Sequence, residues 1–106
     1  MDGSYLRAET LLTLSSSARR VSDLVAASET PLRYEVIRHL LRVSEETMIE
    51  VLEEAVAASL VIRGPDPFTY VTQDEETRLA ILLGMGDERA RRARAQIESA
   101  SRRVFE

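Results

Sequence analysis

Five glutamates on one predicted helix form the clearest chemical pattern in this chain. Residues 45–58 contain no arginine or lysine, and their carboxylates belong to Glu45, Glu46, Glu50, Glu53 and Glu54. A shorter predicted helix precedes this segment and a β-hairpin pattern follows it, as for the DNA-reading helix of a helix-turn-helix. Such helices normally present Arg, Lys, Asn or Gln to base edges. The pattern therefore predicts a fold typical of DNA-binding domains, with charges that argue against DNA.

Three interpretations of this glutamate-rich helix are open. In the first, the carboxylates are a solvated helix face without a partner. In the second, Glu46, Glu50, Glu53 and Glu54 form an acidic surface that docks a protein, for example one rich in arginine. In the third, the helix reads bases; repulsion between carboxylates and phosphates makes this the weakest of the three.

The C-terminal helix carries the second pattern, a heptad-like apolar seam flanked by arginines. Apolar residues recur at spacings of three and four, at Ala90, Ala93, Ile97, Ala100 and Val104. Three interpretations of this helix are open. Its seam packs on the core of the same chain, its seam pairs two chains, or its arginines form a basic patch. Ala93, Ile97 and Val104 are accordingly candidates for protein contact. The candidates for nucleic-acid contact are Arg63 of the hairpin and Arg89, Arg91, Arg92 and Arg94 of the helix.

The remaining polar residues favour structural roles. His39 is the only histidine and cysteine is absent, so no metal site is predicted, and we expect His39 to be a partly buried helix residue. Asp74-Glu75-Glu76 stands where a helix begins and complements its dipole. Gly84-Met85-Gly86 lacks the strand and lysine of a phosphate loop, so it predicts a helix break. No arrangement argues for catalysis or a cofactor, and a non-enzymatic protein is expected.

Composition limits the partners further. The chain has 106 residues and a formal net charge of -4, which fits a single small domain. Residues 1–83 hold eight Arg against fourteen acids, whereas 84–106 hold six Arg against four. An acidic body suits a polyanion poorly. There is no long apolar run or signal pattern, so a cytoplasmic protein without membrane contact is expected.

The periodicity predicts a mainly α fold with a small β-hairpin: a winged helix-turn-helix plus a C-terminal helix. Segment 1–14 is either a short amphipathic helix or a strand. A winged-helix domain is expected over 15–83 and the Arg-rich amphipathic helix over 84–106. Within these, the predicted helices lie at 15–27, 34–41, 44–58 and 74–106 with its break, and the predicted strands at 60–63 and 68–72 around a turn at 64–67.

Apolar spacing also predicts which side chains face the core. On the glutamate-rich helix, Met48, Ile49, Val51, Leu52, Ala55 and Val56 share one arc. In the helix before the glycine break, the residues expected to pack on the core are Leu79, Ile81, Leu82 and Leu83.

The chain resembles a known group of winged helices. Residues 14–21, reading LSSSARRV, are similar to an opening "LSPAARRV" helix, and residues 45–61, EETMIEVLEEAVAASLV, to "xEELLEALEEAVAAGLL". The wing FTYVT and the following TRLAIL look like "YRFRHALVREAVY". This group follows the nucleotide-binding domain in large ATP-dependent bacterial regulators of the LuxR type, among the signal-transducing STAND ATPases. Ser59 departs from the usual glycine and Asp74 from a frequent histidine.

The resemblance implies an internal packing and relay module, because in such regulators a separate domain binds DNA. No Walker loop occurs in the chain, so nucleotide hydrolysis is not carried over. We therefore expect a winged-helix protein-interaction or regulatory module whose partner is another protein or a neighbouring domain of a larger regulator. The alternative is a dimeric winged-helix transcriptional regulator that binds DNA through the Arg-rich C-terminal helix or the wing.

Overall fold

The computed structural model describes residues 14–105 and contains five helices and three short strands within that range. The predictions for segment 1–14 lie almost entirely outside the described residues. The helices are α1 (Ser16–Ala27), α2 (Tyr34–Leu41), α3 (Glu45–Ala57), α4 (Glu75–Met85) and α5 (Asp87–Phe105). The strands are β1 (Leu32–Arg33), β2 (Val61–Arg63) and β3 (Thr69–Thr72). The expected mainly α fold with a small β part is therefore confirmed.

Helix α1 is the centre of the core. It packs against α3, α4, α5 and β3, and apolar residues from Ala18 to Ala27 are almost completely buried. Its one fully buried polar side chain, Ser22, donates its hydroxyl to the carbonyl oxygen of Ala18 at 3.1 Å. The helix begins at an N-cap, Ser15, whose Oγ accepts from the backbone N–H of Ala18, and it thereby satisfies a donor that the helix start leaves unpaired.

The three strands form one antiparallel sheet in the order β1-β3-β2. Strands β2 and β3 are the expected hairpin, but β1 was not predicted. It has only two residues, and it pairs Leu32 with Tyr70 across a long stretch of chain. Gly64 is required in the hairpin because a Cβ there would collide with Oγ1 of Thr69. That hydroxyl donates to the carbonyl of Asp66 and closes the turn.

Two of the leucines expected to pack on the core are exposed. Ile81 is buried and Leu82 is half-buried, but Leu79 is 56% exposed and Leu83 is 86% exposed. Leu79 and Leu83 are four residues apart and so lie on one side of α4. The helix packs against α1, β3 and α5 through its other side, which is why this pair remains outside.

Helix α3 ends in a left-handed residue, Ser59, with a φ of 60°. The N–H of Ser59 donates to the carbonyl of Val56, and the N–H of Leu60 donates to the carbonyl of Ala55. These two bonds satisfy carbonyls that a helix end leaves unpaired. Glycine is the residue that adopts this conformation without a steric cost. The backbone thus gives a physical reason for a glycine preference at this position.

We expect Ser59→Gly to stabilise the protein by about 1 kcal/mol, since a left-handed conformation costs an L-residue roughly 1–2 kcal/mol and glycine loses part of that gain through chain entropy. Thermal or urea unfolding measures the change. The matched control is Ser28→Gly, at the C-cap of α1, where φ is -69°; there glycine should destabilise. An equal effect at both positions would contradict the strain argument.

Candidate interaction site

Helix α3 is held firmly at both ends and along one side. Its N-cap is Ser44, whose Oγ accepts from the backbone N–H of Thr47 at 3.2 Å. Met48, Val51, Leu52 and Ala55 are buried, mainly against α1. Because the buried side of α3 is fixed by this packing, the residues on its exposed side are also held at fixed distances from one another.

One of the predicted interaction residues, Glu54, serves the fold itself. Its Oε2 accepts a hydrogen bond of 2.8 Å from the backbone N–H of Ser15, which is the N-cap of α1. Glu54 is half-buried, whereas Glu46, Glu50 and Glu53 are exposed. No local sequence pattern distinguishes Glu54 from the other glutamates, because Glu54 contacts a residue that is distant along the chain.

Ile49 and Val56 do not face the core, contrary to prediction. Ile49 is 49% exposed and Val56 is 42% exposed. At 3.6 residues per turn, the six predicted apolar positions span an arc of roughly 160°. The part of that arc that contacts the core contains Met48 and Leu52. Ile49 and Val56 lie at the outer edge of the arc, beyond this contact. The exposed side of α3 is therefore apolar as well as acidic.

The exposed carboxylates of α3 are free to meet a partner. Within residues 14–105, no hydrogen bond or ion pair engages the side chains of Glu45, Glu46, Glu50 or Glu53. Because α3 carries no cation, nothing on the helix offsets their charge. Glu45 and Glu46 also lie in the first turn, where the helix dipole stabilises negative charge.

The β2–β3 hairpin provides a second exposed element close to the start of α2. Phe68 at its tip is 71% exposed and has a φ of 61°, and its carbonyl accepts from the N–H of Tyr34 at 2.8 Å. Arg63, a predicted nucleic-acid contact, is exposed at the end of β2. The β2–β3 hairpin therefore exposes the cation Arg63 and the aromatic ring of Phe68.

Most arginines predicted to contact nucleic acid are engaged within the chain. Arg89 pairs with Asp23 at 3.3 Å, and Arg92 pairs with Glu88 at 3.2 Å. Arg94 donates its Nε–H to the carbonyl of Ala27 at 3.2 Å. Among the four candidates on α5, only Arg91 has no such contact within the described residues.

The apolar seam of α5 packs inside the molecule. Ala90, Ala93 and Ala100 are buried, and Ile97 and Val104 are partly buried. The helix lies against α1, α2 and α4. Of the three interpretations of the seam, packing on the core of the same chain accounts for these burials, so Ala93 is not available to a partner while the fold is intact.

Asp23 is an acidic residue at the junction of α1 and α5 whose pKa is shifted. Its side chain is 14% exposed and pairs with Arg89. Burial raises the pKa of Asp23 above its usual 3.8, although the positive charges of Arg89, Arg19 and Arg20 oppose the rise. The desolvation of the carboxylate thus outweighs its ion pairs.

Asp23 should therefore lower stability as pH rises, which is the reverse of an ordinary paired carboxylate. Between 3.8 and its higher folded pKa, the folded state binds more protons than the unfolded state, so its contribution falls with pH in that window and is constant above it. The measurement is the free energy of unfolding against pH for the native protein and Asp23→Asn. The native protein should lose stability relative to the variant as pH rises from below 3.8; a relative gain would contradict the sign.

His39 is exposed, where partial burial was expected. It lines a shallow depression on α2 together with Tyr34, Arg38 and Arg42. The position follows from the helix period, because at about 100° per residue His39 lies roughly 110° from the middle of the arc that the buried Val36 and Ile37 occupy. A cationic residue in the last turn of a helix complements its dipole, and Arg38 has this position in α2.

Two further observations apply only to the described part of the chain. Among those residues, no three histidine or acidic side chains are grouped so that they could hold a metal ion. None of the helices there combines the length and apolar character needed to cross a membrane. Comparisons of the chain with protein-family models, curated proteins and solved structures found no match.

Proposed function

We propose that the chain is a non-enzymatic winged-helix module of a bacterial transcription-regulator type, which binds another protein or a neighbouring domain of a larger regulator. The order α1-β1-α2-α3-β2-β3, with β3 between β1 and β2, supports the winged-helix assignment. In this arrangement α2 and α3 form the helix-turn-helix, and the β2–β3 hairpin forms the wing.

The observation that carries the interaction role is the surface of α3. At the position of a recognition helix, it exposes two aliphatic side chains and four unpaired carboxylates, without any cation. Phosphate neutralisation supplies nearly all non-specific DNA affinity, and this surface works against it. Two exposed aliphatic side chains beside a row of charges instead provide an apolar contact with a polar rim, the composition of a protein interface.

The alternative, a dimeric DNA-binding regulator, has weaker support. It requires a basic surface on α5 or the wing, yet Arg89, Arg92 and Arg94 are engaged by their own chain. It also requires the seam of α5 for pairing, and that seam is covered. Of the five arginines predicted to contact nucleic acid, Arg63 and Arg91 alone have no hydrogen bond or ion pair within the described residues, which is a small number for a stable phosphate contact.

A fluorescence-anisotropy titration with duplex DNA at low salt tests the proposal. We expect binding no tighter than roughly 10⁻⁴ M, the weak end of non-specific affinity. Tight, sequence-selective binding would overturn the proposal. The alternative further predicts that Arg91→Glu with Arg92→Glu abolishes binding, and that binding weakens steeply with salt.

A further inference from the structure

The exposed side of α3 has a definite pattern that limits what can bind there. Ile49 and Val56 are seven residues apart, so they lie almost in line along the helix, about 10 Å from each other. Both are near half exposure. Together they form a short apolar ridge, which we call the α3 ridge.

Most of the carboxylates lie on one flank of the α3 ridge. At about 100° per residue, Glu53, Glu46 and Glu50 are rotated by roughly 40°, 60° and 100° to the same side of Ile49. The other flank leads to Leu52, which is 6% exposed and part of the core. Only Glu45, near the N-terminal end of the helix, falls on that second flank. The surface is therefore an apolar ridge with a one-sided acidic row.

A complementary surface needs an apolar stripe with cations along one flank. An amphipathic helix provides both with a regular spacing, since residues at i, i+3, i+4 and i+7 share a face. Two turns of such a helix match the length of the α3 ridge. The one-sided charge would also fix the orientation of the bound helix, because the reversed orientation moves its cations away from the glutamates.

A second copy of this chain does not fit the surface. Pairing two α3 ridges with the helices antiparallel would bring the two rows of glutamates together, and pairing them parallel would leave each row facing a helix that carries no cation. Helix α5 has the arginines but turns its apolar seam into its own core. Its exposed face therefore offers charge without an aliphatic stripe.

Resting on the proposed interaction function, we infer that the α3 ridge binds an amphipathic helix of a partner protein that carries Arg or Lys along one flank of its apolar stripe. The apolar stripe of that helix covers Ile49 and Val56. Its cations meet Glu46, Glu50 and Glu53. Glu54 takes no part, because it is engaged with Ser15.

The test uses a labelled synthetic helix of about five turns, with leucines on one face and arginines along one flank. Two control peptides replace the arginines by glutamate or the leucines by serine, and duplex DNA is the fourth probe. Binding of each to the full chain is measured by fluorescence anisotropy at low salt and at about 0.3 M salt. We expect the basic amphipathic peptide to bind at least tenfold tighter than either control peptide, and less tightly at the higher salt.

Variants of the chain locate the binding surface. Ile49→Ser with Val56→Ser, and separately Glu46→Gln with Glu50→Gln and Glu53→Gln, should each weaken binding about tenfold or more. The controls are Leu79→Ser with Leu83→Ser, which removes two still more exposed leucines from α4, and Glu29→Gln with Glu35→Gln, which removes two carboxylates outside α3. All four positions of the controls are exposed, so the controls should bind normally. Circular dichroism checks that each variant is folded.

The outcomes separate the partner class from the proposed function. If the glutamate peptide binds the α3 ridge as well as the arginine peptide does, the inferred partner is wrong but protein docking by α3 stands. Equal binding of the serine peptide means simple charge attraction and also overturns the inference, as does failure of every peptide to bind. Self-association that the Ile49/Val56 variant disperses would make a second copy the occupant. DNA binding that requires α3 would overturn the proposed function itself.

Discussion

The double substitution Arg78→Met with Arg94→Met should lower the free energy of unfolding by about 2–4 kcal/mol. This is the contribution of two hydrogen bonds from charged donors to buried carbonyl oxygens, reduced because the arginines are partly exposed. Arg78 of α4 donates its Nε–H to Ala26 at 3.2 Å, and Arg94 of α5 donates to Ala27 at 3.2 Å. Both acceptors belong to the last turn of α1.

The loss is large because of where α1 ends. The last carbonyls of a helix have no partner within it, and Ala26 and Ala27 are fully buried, so water does not replace the arginines easily. Both guanidinium groups also complement the negative end of the helix dipole. Methionine keeps much of the side-chain length and removes the donors, so packing changes little.

Thermal unfolding measures this effect, and the midpoint should fall by on the order of 10–20 °C for a domain of this size. The matched control is Arg91→Met with Arg103→Met, which also removes two positive charges. Both positions are exposed, and their side chains make no hydrogen bond or ion pair within residues 14–105. The control should change stability by less than about 0.5 kcal/mol. If both double variants behave alike, the two arginines do not cap α1.

Local signals in the sequence predicted the elements of this fold well. Ser44 and Asp74 are N-caps at the two places where the periodicity predicted a helix to begin, and each accepts from the backbone N–H three residues later. Gly86, with a φ of 84°, stands at the predicted break between α4 and α5. Each of these features depends on residues within one turn of each other, which is the range over which sequence patterns are informative.

Features that depend on distant residues were not predictable. Arg94 looked like a cation for phosphate, but it caps a helix 67 positions earlier in the chain. Glu54 looked like its neighbouring glutamates, yet it holds the N-terminus of α1. Strand β1 is too short to have a pattern of its own and exists because β3 is there to pair with it.

The candidate site was half predicted. The acidic character of α3 follows from composition alone, but Ile49 and Val56 were assigned to the core. An apolar arc wider than the core contact leaves its edge exposed, and a helical period cannot tell which edge. Only the position of α3 against α1 decides that. The exposed edge then joins the glutamates and changes a purely acidic surface into an amphipathic one.

Under the proposed function, reversing three of these charges should create DNA binding. The variant is Glu46→Arg with Glu50→Arg and Glu53→Arg, which changes the formal net charge from -4 to +2. If α3 occupies the place of a recognition helix, the new arginines lie where a duplex can reach them together. Non-specific binding in the range of about 10⁻⁴–10⁻⁶ M is then expected.

Salt dependence provides the quantitative check of this gain. Each neutralised phosphate contributes about -0.9 to the slope of log K against log salt, so three arginines acting together give a slope near -3. Anisotropy titrations with a random-sequence duplex at several salt concentrations measure it. The same variant should no longer bind the basic amphipathic peptide, because the arginines introduced on α3 repel the arginines of that peptide.

The matched control separates position from net charge. Glu29→Arg with Glu35→Arg and Glu98→Arg gives the same net charge with the arginines spread over three other elements or loops. If α3 is a recognition-type helix, the α3 variant should bind the duplex at least tenfold more tightly than this control and with the steeper slope. Equal binding by the two variants would mean that overall charge alone attracts DNA. The exposed side of α3 would then have no special access to a duplex. The proposed winged-helix assignment would lose its main functional consequence.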